Sequence, residues 1–233
     1  MSIHLAKQLE TFDIWFFRYF GEIQDWTLQN TAFQAMIRFK TFMMENVEST
    51  PRPGCDPDAI FNQNVFFART MSTSKTEGEP AAEGVHQDGV EFTMTTLLKS
   101  RNQDWDKEKS ARSKLFTRDQ TIGVAFGYAD LNNVIVEVQH TTFLDTLLFV
   151  DNEVCHAVSP LKLINPDKTG FRDMMILFSR RMSQQGSNFI SAGFDSLKSH
   201  PRLPAAFALR SKMLIEMYPQ IATEMPAEGL MEN

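Results

Sequence analysis

His86-Gln87-Asp88 sets an imidazole and a carboxylate two residues apart, and Cys155-His156-Ala157-Val158-Ser159-Pro160 offers a second imidazole 68 residues after Asp88. Two histidines and one carboxylate on one face of a metal ion leave three coordination positions open, as an oxygen-activating iron site requires. Side chains alternate along an extended strand, so His86 and Asp88 are expected on one face and Gln87 on the other. Gly89 then permits close approach of backbone or substrate. A His-x-Asp triplet read alone recurs by chance, and its ordinary meaning is a surface histidine beside a solvated aspartate.

Two further residues raise its weight. His156 follows an apolar strand and precedes Pro160, so it stands where a strand ends. Arg172 opens the apolar run Phe171–Phe178 sixteen residues after His156. If it points inward it needs an anionic partner, and the plain alternative is a surface pair with Asp173. His4 and His200 read as surface residues. His140, beside Thr141 and Thr142, is the second choice as a metal ligand. Cys155 should face away from its neighbour His156 as a packed thiol.

The elements that would position these groups follow from periodicity. Apolar residues at helical spacing predict amphipathic helices over 2–20 and 28–48, the second with Phe33, Met36, Ile37, Phe39, Phe42, Met43 and Val47 as a core stripe. Residues 49–58 are a turn-rich break. Strand signals follow at 64–69, 85–98, 121–128, 133–139, 145–150 and 172–179. Residues 72–82 read as a loop over a pocket, and the charged stretch 99–120 as an exposed, partly helical insertion. Pro204 stands near the start of a C-terminal helix over 204–218. Helices, then many short strands, then a helix predict a mainly β protein with flanking helices, an antiparallel barrel or double sheet. One domain over 1–233 is expected, helical over residues 1–50, with a core over 60–180 and helical again over 185–233.

Composition narrows the classes. A net charge of -6 disfavours nucleic acid and favours a small-molecule partner. Apolar residues at 42%, with 20 Phe and 13 Met, indicate a packed core. Two cysteines without CxxC spacing exclude a disulfide framework and a structural zinc site, and suit a reducing cytoplasm. No apolar run reaches ~18 residues, so neither a membrane span nor a secretory leader is expected.

Glu83-Gly84-Val85-His86-Gln87-Asp88-Gly89, Leu144–Phe149, His156–Pro160 and Phe171-Arg172-Asp173 together resemble the Fe(II)/2-oxoglutarate dioxygenases of the isoleucine dioxygenase group, hydroxylases of free amino acids. The likeness spans roughly residues 60–180. It implies a double-stranded β-helix (a cupin-like jelly roll), with Fe(II), 2-oxoglutarate and O2 as cofactor and cosubstrates. By position, His86, Asp88 and His156 would hold iron. Arg172 would grip the distal carboxylate of 2-oxoglutarate, with Ser159 as a helper. Arg69 matches an arginine that holds the substrate or braces the site; a surface arginine is the other reading. Val90, Phe92 and Met94 would line the substrate pocket if no bulge intervenes. Retention of Asp88 disfavours halogenation, because related halogenases lack that carboxylate.

The implied reaction hydroxylates an aliphatic C–H bond of an amino acid or derivative and releases succinate and CO2. Desaturation or cyclisation with the same cofactor, and a non-catalytic cupin-like metal-binding module, are the alternatives. The expected partner is a small molecule, with no nucleic acid and no membrane; a homodimer is the assembly allowed for.

Overall fold

The computed structural model describes residues 23–45, 47–52, 54–55, 61–105 and 110–181. The helices expected over 2–20 and 204–218 lie outside them. The chain divides into two compact units, residues 1–47 with 188–233 and residues 48–187.

The first unit contributes α1 (Asp25–Gln29) and α2 (Thr31–Met44). Asn30 caps α2: its side-chain oxygen accepts from the Ala32 and Phe33 N–H groups, two of the donors that a helix start leaves unpaired. Phe33, Ile37, Lys40 and Met44 form the buried face, at spacings of four, three and four. Phe39, Phe42, Met43 and Val47, expected in the core, are exposed. An α-helix turns 100° per residue, and a stripe through Phe33 and Ile37 leaves Phe39, Phe42 and Met43 on other sides, while Val47 lies past the end of the helix.

The second unit is built from β1 (Phe61–Ser72), β2 (Phe92–Arg101), β3 (Arg112–Phe116), β4 (Val134–Gln139), β5 (Thr146–Val150), β6 (Cys155–Val158) and β7 (Gly170–Arg181). They form two sheets, a four-stranded one in the order β1-β7-β2-β5 and a three-stranded one in the order β4-β3-β6. All pairings are antiparallel. Polar turns shape parts of the connections. Asn165 Oδ1 accepts from the Asp167 N–H, and Asp145 Oδ2 accepts from the N–H groups of Thr141 and Thr142. Behind the smaller sheet Val85, Phe116, Phe126, Ala129, Cys155 and Ala157 pack into a core cluster.

Two expectations are corrected. Residues 121–128 hold no strand; the 3-10 turn Phe126–Tyr128 stands there, and Phe126 enters the core cluster. Among its described residues the charged stretch 99–120 is no exposed insertion, because it carries the end of β2 and all of β3. On β3, Ser113, Lys114, Leu115 and Phe116 are buried. The charges mislead because Arg112 and Lys114 pair with Glu137 across β4, and the Lys114 ammonium lies 4.8 Å from the Phe126 ring centre. The 72–82 segment is tied down: the Ser72 hydroxyl donates to the Leu161 carbonyl and accepts from the Gly78 N–H. A Cβ at Gly78 would lie 2.3 Å from the Met71 carbonyl oxygen, so only glycine fits there.

Candidate metal centre

His86 and Asp88 do not sit on a regular strand. β2 begins only at Phe92, and Gly89 takes a φ of 65° in the left-handed region that glycine favours. His86 is held by a two-residue bridge to His156, each donating its N–H to the other's carbonyl at 2.8 Å. That bridge brings the two imidazoles together, with ring centres 4.2 Å apart. Asp88 completes the group: Oδ1 is 3.6 Å from His86 Nε2 and Oδ2 is 3.4 Å from His156 Nε2. One ligand atom from each residue lies within 4.8 Å of the others. The carboxyl of Glu83, more exposed, is 3.6 Å from the same His86 nitrogen.

The ring nitrogens on the far sides are also placed. His86 Nδ1 is 2.8 Å from the Gly84 carbonyl, to which an Nδ1–H donates, leaving Nε2 with its lone pair. His156 Nδ1 lies 3.3 Å from Asp151 Oδ1. Phe149 meets the His156 ring edge-on at 5.0 Å. Burial alone would lower the His156 pKa, but Asp151 and Asp88 push it up to about 9. Burial likewise opposes ionisation of Asp88, yet its contacts with His156 and His86 hold the carboxyl well below the usual range.

Donor chemistry and geometry fit a divalent first-row metal. Two imidazoles and one carboxylate converge, the outer nitrogen of each ring faces an oxygen, and Asp88 accepts a further hydrogen bond from the Thr93 hydroxyl at 3.1 Å.

Thr93 also marks which face of the large sheet belongs to the site. Its cross-strand partners are Phe149 and Phe178, and Thr95 is paired with Leu147 and Ile176. Directly paired residues share a face, so these six line the side on which Asp88 lies. Arg172 shares this face on β7 and is 3% exposed. Its Nη2 donates to His140 Nδ1 at 3.3 Å, and His140 Nε2 faces the Thr95 carbonyl at 3.2 Å. The guanidinium Nε has no hydrogen-bond partner among the described residues. A buried cation with an unused donor is a seat for an anion. Burial lowers the Arg172 pKa to about 10, still charged at neutral pH. Burial, then Arg172, brings His140 down to about 4, so it stays neutral.

His140, considered above as a rival ligand, is therefore the partner of Arg172. Asp151 is fully buried beside His156. No sequence signal marks either role, since both depend on contacts between separate strands and loops. Cys155 lies in the core cluster behind the small sheet, away from His156. Ser159 is buried, and its hydroxyl accepts from the Arg112 N–H at 2.9 Å, stitching β6 to β3.

Two expected pocket residues are placed elsewhere. Phe92 is buried and stacks edge-on with Phe61 on the face opposite Thr93, while Val90 is buried in the bend before β2. Met94 shares that opposite face. The Gly89 break shifts the alternation by one, so odd positions, not even ones, follow the metal ligands. Arg69 is exposed and grips Asp173 with two bonds of 2.6 and 2.8 Å, on the face opposite Arg172.

Comparison with known proteins agrees with this geometry. A family model described as 2OG-Fe dioxygenase matches residues 5–178. The bifunctional enzyme flvA of Aspergillus flavus is 33% identical over 188 residues, covering 80% of this chain but 22% of its own length. This chain thus spans about a fifth of that curated relative. The solved structure of the selenomethionine-labelled Fe(II)/(alpha)ketoglutarate-dependent dioxygenase TqaL is 38% identical with a TM-score of 0.66, over 72% of this chain and 59% of that one. IDO from Bacillus thuringiensis shares the fold at 18% identity and a TM-score of 0.55, over 71% of this chain and 67% of its own. Among the described residues no helix is long and apolar enough to cross a membrane.

Proposed function

The chain belongs to the 2OG-Fe dioxygenase family, and from that premise we propose that it hydroxylates an aliphatic C–H bond of a free amino acid or amino-acid derivative. The family implies Fe(II), 2-oxoglutarate and O2, and a small-molecule substrate. In this reading His86, Asp88 and His156 hold the iron. When bound, the iron supplies oxygen activation coupled to oxidative decarboxylation of 2-oxoglutarate to succinate and CO2.

The carrying observation is the spacing along β2. Thr93 contacts Asp88 and Thr95 contacts His140, which in turn holds Arg172. Two strand residues separate the contacts by roughly 7 Å. A five-carbon dicarboxylate is of that order of length. Its distal carboxylate would then take the open Arg172 donors while its keto-acid end reaches the iron ligands. The Ser159 hydroxyl is already engaged by the Arg112 N–H, so in this reading the grip on the cosubstrate rests on Arg172.

The rest of the face excludes water and orients the substrate. Leu147, Phe149, Ile176 and Phe178 present apolar surface and suit an aliphatic side chain. The free amino-acid class rests on the motif likeness. Arg69 bears on the substrate only indirectly, because Asp173 already occupies its fork. A homodimer is the assembly to test by light scattering.

The test is a screen of free amino acids and simple derivatives for substrate-stimulated succinate formation with Fe(II), followed by product mass. Oxygen insertion is expected. Loss of two hydrogens would redirect the reading to desaturation or cyclisation. Metal binding without 2-oxoglutarate turnover under any substrate would leave a non-catalytic metal module.

A further inference from the structure

Asp151 is fully buried at the start of the 3-10 turn between β5 and β6, and its two oxygens face different halves of the candidate metal centre. Oδ2 accepts the Asp88 backbone N–H at 2.9 Å and lies 3.5 Å from the Val90 nitrogen. Oδ1 is 3.3 Å from His156 Nδ1. Neither Oδ1 nor His156 Nδ1 has a hydrogen-bond partner among the described residues. Gln87 ties the same two segments again, donating to the Val154 carbonyl at 2.8 Å. The turn and the His86–Asp88 segment are thereby held together by two side chains.

We infer that Asp151 is a positioning residue that fixes the His156 proton on Nδ1 and sets the Asp88 backbone, so that one carboxylate prepares two of the three metal ligands. This rests on the metal-site reading above. The chemistry is specific. An ionised carboxylate only accepts, so its Oδ1 favours the tautomer with hydrogen on Nδ1 and a lone pair on Nε2, the nitrogen facing Asp88. A proton on Nδ1 also satisfies both orphaned atoms.

Asparagine cannot do both tasks. With its oxygen toward the Asp88 N–H, its amide donates to Nδ1 and drives the ring proton onto Nε2, where it blocks the metal. With its oxygen toward Nδ1, its amide confronts the Asp88 N–H, donor against donor. Alanine removes the constraint but imposes no wrong tautomer. The nearly isosteric Asp151→Asn should therefore harm metal binding more than Asp151→Ala, the reverse of what packing alone predicts.

The test titrates metal-free protein with Co(II), read by its visible absorption, with folding checked by circular dichroism. Asp151→Ala should weaken Co(II) about 10-fold and Asp151→Asn towards about 100-fold, the range seen when a ligand's outer partner is lost. Equal or stronger binding by Asp151→Asn than by Asp151→Ala would overturn the role. Failure of the parent protein to bind Co(II) would instead sink the metal site itself. If neither variant folds, the long-range 15N spectrum of the Zn(II)-loaded parent decides: the His156 proton on Nδ1 supports the role, and on Nε2 refutes it.

Discussion

His156 and His140 are both buried, and both belong to the face that carries the site, yet their surroundings push them in opposite directions. Burial lowers both. Around His156 two carboxylates, Asp151 and Asp88, overcome that effect and raise it to about 9. Around His140 the nearest charge is the Arg172 guanidinium, which adds to burial and lowers it to about 4. The acid-rich corner is prepared for a cation. The other corner holds a cation and is prepared for an anion. Neighbours, not depth, assign each imidazole its work.

The comparison breaks most sharply at the acid-rich corner. Asp88→Ala removes the only carboxylate of the proposed triad, and iron-dependent succinate formation should fall by more than about 100-fold, since loss of an outer partner alone costs up to that much. Undiminished turnover would remove Asp88 from the site.

Arg172→Lys should raise the KM for 2-oxoglutarate about 10-fold or more, because lysine offers a point charge where a fork is needed. The Fe(II) requirement should persist. A change confined to metal affinity would show that the corners are not separate.

The two histidines should also give stability opposite pH slopes. His156 in the metal-free protein has a folded pKa above its unfolded value. Its contribution is complete below about 6.5 and is lost as pH rises through about 9. His140 has a folded pKa below its unfolded value, so between about 6.5 and 4 the unfolded chain binds more protons and stability falls with acid. Each effect is at most roughly 3 kcal/mol. Urea unfolding of His156→Gln should flatten the alkaline slope and His140→Asn the acid one; matching slopes in the parent and variants would end the contrast.

Arg69→Gln should have the smallest effect. The pair with Asp173 is exposed, and such pairs contribute little in water. Melting temperature and the KM for 2-oxoglutarate should barely move. A large rise in substrate KM would return Arg69 to the pocket.

Residue identity and order made much of this readable in advance. The His-x-Asp triplet, His156 and Arg172 carry their chemistry in their types, and the strand signals near β1, β4, β5 and β7 follow from local runs of β-branched and aromatic residues. The sequence pattern failed where the meaning of a residue depends on its cross-strand neighbours. The charges on β3 looked exposed until Glu137 was placed beside them. Phe92 and Met94 looked like pocket residues until the left-handed turn at Gly89 moved the alternation by one.

By itself, then, the amino-acid order supplied the candidate donor residues, the arginine at 172 and the mainly β character, because these reside in side-chain type and short-range period; that Arg172 is buried came from the structure. Only the tertiary structure decided that His140 serves Arg172 and that Asp151 spans His156 and Asp88. Those partners lie 32, 5 and 63 residues apart in the chain. Their meeting is set by sheet register and turn geometry, which no local pattern encodes.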